Sequence, residues 1–159
     1  MKILMGIDDS KSSDCLVRAL ITQFRTEGAE ILALHVLVPV ESVAPPEMSQ
    51  GFAPELQDQR KPAVILLERI AEELSSAGFR VQTSVKIGDA RETIIETAMT
   101  WAADLILVGS HGERGIQSSL LGSVSESVAR HAKCSVEIVR MPATDWQNLA
   151  IGRQAHGLC

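Results

Sequence analysis

The stretch Leu105-Ile106-Leu107-Val108-Gly109-Ser110-His111-Gly112, nine residues from Glu113 to Leu121, and then Gly122-Ser123-Val124 decides the fold. Asp104 opens it, and Leu105 to Val108 has the unbroken apolar character of a strand buried on both faces. Beyond it Val124, Val128, Ala129 and Ala132 recur at helical spacing. A glycine-rich segment that begins as a buried strand ends, and stops as a helix begins, lies where open α/β sheets bind ligands, outside the carboxyl ends of their strands. Glycines let the main chain approach phosphate oxygens there, and the helix N-terminus offers N–H groups and a partial positive charge. The plainer alternative is that Gly109 and Gly112 build a tight turn and Ser123 caps a helix. No Gly-Lys-Ser/Thr follows and the spacing is not Gly-x-Gly-x-x-Gly, which argues against a P-loop kinase and a dinucleotide dehydrogenase.

Working outward, strand and helix patterns alternate along the chain. Lys2 to Ile7 is an apolar strand ended by Asp8-Asp9-Ser10, and Asp9 or Ser10 can cap a first helix whose inner face is Cys15, Leu16, Ala19, Leu20 and Phe24. Ile31 to Val38 reads as a second strand, closed by Pro39. Residues 41–61 scatter Pro45, Pro46, Gly51 and Pro54 among polar residues and read as a long surface loop. Pro62 suits the first turn of a helix with Leu66, Leu67, Ile70, Ala71 and Leu74 as its buried stripe. Phe79 to Ile87 alternates, which predicts a wetter strand near an edge. Asp89 and Glu92 have capping-box spacing before Ile94, Ile95, Ala98, Met99 and Ala102, and Val136 to Arg140 is a last strand. Five strands in this alternation predict a parallel sheet with right-handed crossovers and helices on both faces.

At 159 residues the chain fits one domain able to bury a core without a disulfide or a metal. A net charge of -5 gives no broad attraction to nucleic-acid phosphates. Cys15, Cys134 and Cys159 show no CxxC spacing, so we expect neither a disulfide framework nor a metal site. The apolar run after Met1-Lys2 is too short for a signal segment, and no run is long enough to cross a bilayer, so a cytoplasmic protein is expected. Met141 to Cys159 has no clear period and reads as a mobile extension of a 1–140 domain.

Gly-Ser-His-Gly, nine residues, then Gly-Ser resembles the G-x2-G-x9-G-S/T signature of the ATP-binding branch of the universal stress protein family. The similarity extends to Gly6-Ile7-Asp8-Asp9-Ser10, to His35-Val36 and to Leu120-Leu121-Gly122-Ser123-Val124, and covers approximately residues 1 to 140. It implies a Rossmann-like sheet, of the adenine nucleotide alpha hydrolase kind, in the order 3-2-1-4-5, with ATP, or AMP or ADP, across the carboxyl ends of strands one and four. Asp8 would accept hydrogen bonds from ribose hydroxyls, or else serve only to start the helix. Backbone groups near Val36 would face adenine. Gly109, His111, Gly112, Gly122, Ser123 and Val124 would surround the ribose and triphosphate. Mg or Mn could accompany the phosphates, and Asp9, a second carboxylate where many relatives have a small or apolar residue, would favour a cation.

The resemblance implies a nucleotide-dependent regulatory or stress-response module. The alternative is an enzyme, a slow ATPase or an adenylate-transferring protein of related fold. Binding parts are visible and turnover parts are not, for the stretch holds no lysine and no evident general base follows it. No catalytic residue is assigned. The family's usual seam makes a homodimer through the last strand the expected assembly, with Glu137 as the residue that speaks against it.

Overall fold

The apolar runs become the strands of one sheet. The computed structural model describes residues 1–8, 12–39, 53–110 and 121–140. Among them the elements run β1 (Lys2–Ile7), α1 (Ser12–Gln23), β2 (Glu30–Leu37), α2 (Ala53–Ser76), β3 (Arg80–Ile87), α3 (Ala90–Trp101), β4 (Leu105–Gly109), α4 (Ser123–His131) and β5 (Ser135–Val139). The sheet has the order β3-β2-β1-β4-β5 and every pair is parallel. This is the expected open five-stranded α/β fold. The chain builds outward from β1 to β3, then returns to build on the other side of β1, so the strand order reverses between β1 and β4.

Alternation along β1 explains why its sequence reads as continuously apolar. Ile3, Met5 and Ile7 join Leu16, Val17 and Leu20 of α1 and Leu67, Ile70 and Leu74 of α2 in one buried layer. Leu4 points the other way, into a layer with Ile94 and Ala98 of α3 and Val128 of α4. Both faces are covered by helices, and burial of this apolar surface is the main force holding the layers together. Gly6 permits a close approach: a Cβ there would stand 3.0 Å from Val108 Cγ1 and 3.3 Å from Ile94 Cδ1. At the edge, β3 exposes Arg80, Gln82 and Lys86, as its alternation predicts, and also Thr83 and Ile87 of the opposite set, while Phe79 lies buried just before the strand.

At the amino ends of the strands, the Lys2 N–H donates to the Asp104 carboxylate at 2.7 Å, and the Asp104 N–H returns to the Lys2 carbonyl at 2.8 Å. The Lys2 ammonium donates to the Trp101 carbonyl at 3.2 Å and stands 5.2 Å over the Trp101 ring.

One expectation needs correction. α2 begins at Ala53, not at Pro62, so part of the supposed loop is helix. Pro54 occupies the first turn, where a missing N–H costs nothing, and Pro62 sits inside the helix. An internal proline removes one hydrogen bond and crowds the preceding turn. Here Asp58, Arg60, Lys61 and Pro62 face solvent, while Ala63, Leu67, Ile70 and Leu74 carry the burial that holds the helix on the sheet. The rest of the expected loop and the 141–159 extension lie outside the described residues, as do Asp9 and Ser10, the candidate caps of α1. No helix of the described residues is long and apolar enough to cross a membrane.

Candidate functional site

Gly6 pairs with Val108, so β1 and β4 leave the sheet side by side, and Asp8 and Ser110 are each the first residue past their strand. Ser110 is held by both of its main-chain groups. Its N–H donates to the Val139 carbonyl at the end of β5 at 2.8 Å, and its carbonyl accepts the Gly122 N–H at 2.7 Å. The buried Ser125 hydroxyl lies 3.1 Å from the same carbonyl and 2.9 Å from the Gly122 carbonyl. The glycine-rich stretch therefore starts and ends at one point, fastened across the gap between β4 and α4.

α4 starts differently from the way its sequence suggests. Ser123 is the first helical residue, not the cap; Gly122 is the N-cap, in extended geometry at φ -73 and ψ 157, and, being a glycine, it brings no side-chain acceptor to the helix N–H groups. The first intrahelical bond runs from the Glu126 N–H to the Gly122 carbonyl at 2.9 Å. The N–H groups of Ser123, Val124 and Ser125 have no acceptor within the helix, which is the general condition of a first turn. Ser123 is exposed, whereas the Val124 side chain packs beside Val128 in the core layer.

Asp8 is half-buried, and the Ser13 hydroxyl donates to its carbonyl at 2.6 Å, with the Asp8 carboxylate Oδ1 farther off at 3.4 Å. Val36 lies one residue past the last β1–β2 pair, Ile7 with His35, while still paired with Lys86 of β3. Gly109 closes β4. Asp8, Val36, Gly109, Gly122, Ser123 and Val124 thus all stand at the carboxyl-end side of the sheet, with Asp8, Gly109 and Gly122 at the β1–β4 switch point. His111 and Gly112 lie outside the described residues.

Sequence reasoning missed Ser13, Ser110 and Ser125. For Ser13 and Ser125 the available signal was a hydroxyl in the first turn of a helix otherwise read through its apolar positions; Ser110 acts through its main chain, and its partners are fixed only by the fold.

The charges nearby have local causes. The Arg91 guanidinium holds the Asp89 carboxyl down at about 2, helped by backbone N–H groups of Glu92 and Arg91. At the opposite, amino end of the strands, burial pushes the Cys134 thiol up, away from thiolate chemistry. Among the described residues no group of three or more His, Cys, Asp or Glu side chains could hold a metal ion.

The sequence model of the universal stress protein family matches residues 1–140. Universal stress protein MJ0577 of Methanocaldococcus jannaschii is 29% identical over 153 residues, 87% of this chain and 94% of its own. Its solved structure superposes with a TM-score of 0.79, covering 89% of this chain and 96% of that one. A universal stress protein solved in complex with cAMP is 25% identical with a TM-score of 0.63, covering 88% of this chain and 96% of its own. A family protein of Arabidopsis thaliana solved with AMP bound shares the fold at 22% identity and a TM-score of 0.64, over 91% and 94% of the two chains. With the family match spanning every described element, the chain belongs to the universal stress protein family.

Proposed function

We propose that this protein binds ATP at the carboxyl ends of β1 and β4 and works as a nucleotide-dependent regulatory module of the stress response, without rapid turnover. The observation that carries the reading is the joining of the two ends of the glycine-rich stretch, Gly122 N–H to Ser110 carbonyl at 2.7 Å, at a helix start whose N-cap is a glycine without a side chain. Such an end presents N–H donors and positive potential to an anion. In this reading Asp8 takes the ribose hydroxyls, backbone near Val36 faces adenine, and Gly109, His111, Gly112, Gly122, Ser123 and Val124 surround the ribose and phosphates, with Mg or Mn as counter-ion. The relative solved with cAMP makes an adenine nucleotide the natural ligand class.

Slow or absent hydrolysis goes with this reading, because positioning groups are present without a lysine in the stretch or an evident general base after it. Sustained turnover at about 1–100 per second would favour the enzyme instead. The family resemblance also leads us to propose a homodimer through β5, whose outer edge leaves ladder groups available for a two-fold mate. Light scattering tests it, with a dimer expected that Val136→Pro dissociates. The nucleotide reading is tested by denaturing purified protein and identifying what it releases by mass spectrometry: ATP is expected, and a cofactor of another class would reject the reading.

A further inference from the structure

The two crossings at the switch point, β1 to α1 and β4 to α4, are closed by the same device. In each, a serine in the first turn of the helix is almost fully buried, Ser13 at 1% exposure and Ser125 at 2%. In each, its hydroxyl reaches back to the carbonyl of the first residue past the strand, Ser13 to Asp8 at 2.6 Å and Ser125 to Ser110 at 3.1 Å, the Ser125 hydroxyl being shared with the Gly122 carbonyl at 2.9 Å. The β3-to-α3 crossing is built otherwise, with the helix held by the Asp89 carboxylate. Both serines stand among apolar neighbours, Ser13 near the layer of Leu16 and Val17 and Ser125 three residues before Val128. Burying a hydroxyl in such surroundings is unfavourable unless a hydrogen bond answers it, so the bond made is the reason for the residue type.

We infer that Ser13 and Ser125 are positioning residues of the nucleotide site, an inference that rests on the function proposed above. Ser13 fixes the peptide that carries Asp8, and its hydroxyl, 3.4 Å from the Asp8 carboxylate Oδ1, limits where that carboxylate can turn. Ser125 fixes the Ser110 carbonyl against the start of α4, and so sets the angle at which the N–H groups of the helix meet the phosphates. Neither has to touch the ligand. Displacements of about 1 Å at such a site are enough to lose most of the contact energy.

The test is calorimetric titration of the whole chain with ATP, 2′-deoxy-ATP and AMP, on the wild type, Ser13→Ala, Ser125→Ala and Ser125→Thr. Ser125→Ala is expected to weaken ATP by about tenfold and AMP by no more than about threefold, since it disturbs the phosphate end, and Ser125→Thr to recover most of the loss by restoring the hydroxyl. Ser13→Ala is expected to weaken ATP and AMP alike and to remove the preference for ribose over deoxyribose. Folded variants that bind within twofold of the wild type, or a Ser125→Ala that loses ATP and AMP equally, overturn the inference while leaving the nucleotide site in place. A wild type that binds none of the three overturns both. Should the alanine variants not fold, Ser13→Cys and Ser125→Cys keep the volume with a weaker donor, and the same pattern of losses is required of them.

Discussion

Helices α3 and α4 pack on the same face of the sheet and both follow a strand's carboxyl end, yet their first turns are finished in opposite ways. α3 is capped by Asp89, whose carboxylate accepts the N–H of Arg91 at 2.9 Å and of Glu92 at 3.3 Å and also meets the Arg91 guanidinium at 2.7 Å. α4 is capped by Gly122, which has no side chain to offer. A carboxylate at a helix N-terminus occupies the place and answers the potential that an anionic ligand would use. α3 is complete by itself, and α4 is left for something else to complete. On the proposed function, local stability and ligand binding are separated between two otherwise similar crossings.

The largest expected effect comes from making α4 like α3. The extended geometry of Gly122 accommodates a side chain, so Gly122→Asp should fold and cap its helix, holding or raising stability by a few tenths of a kcal/mol. Its carboxylate would take the phosphate's place, and ATP affinity should fall by about 100-fold or more in the same calorimetric assay. A folded Gly122→Asp that binds ATP normally would break the contrast between the two helices. The reverse substitution is milder. Asp89→Ala should lower stability by about 0.5–1 kcal/mol in denaturant unfolding and leave ATP affinity unchanged.

The smallest effect is the pH dependence of that difference. The Asp89 carboxyl is held below its ordinary value of 3.8, at about 2, so its contribution is complete above pH 3.8 and is lost as the pH falls toward about 2. Unfolding curves of wild type and Asp89→Ala should differ by a constant amount above about pH 5 and converge in that acid window. A difference that persists undiminished at pH 2 would mean that the cap acts through packing and not through charge.

The same contrast shows what was legible in the sequence. The Asp89 cap could be read directly, because its side chain and the spacing to Glu92 announce it. The Gly122 cap was placed one residue late, at Ser123, because a glycine cap carries no side-chain signal and a serine beside it does. Strands buried on both faces, such as Leu105 to Val108, declare themselves as apolar runs, and the strand order came with the family resemblance. α2 was read as starting too late because Pro62 has the character of a first-turn residue; its place inside the helix depends on the burial of Leu67, Ile70 and Leu74 beneath β2 and β3. The serine clasps were invisible for a related reason. Beside the local Gly122 carbonyl, Ser125 reaches the Ser110 carbonyl, fifteen positions back, and nothing short of the folded sheet brings those two together.

The glycine-capped start of α4 and the neighbouring end of β1 are proposed to hold a nucleotide polyphosphate. Titration of nucleotide-stripped wild-type protein with ATP and with AMP, each with Mg, tests it most directly. Saturable binding at one site per chain, with ATP tighter than AMP, is the predicted result. An absence of saturable heat from well-folded protein, or AMP bound as tightly as ATP, would contradict it.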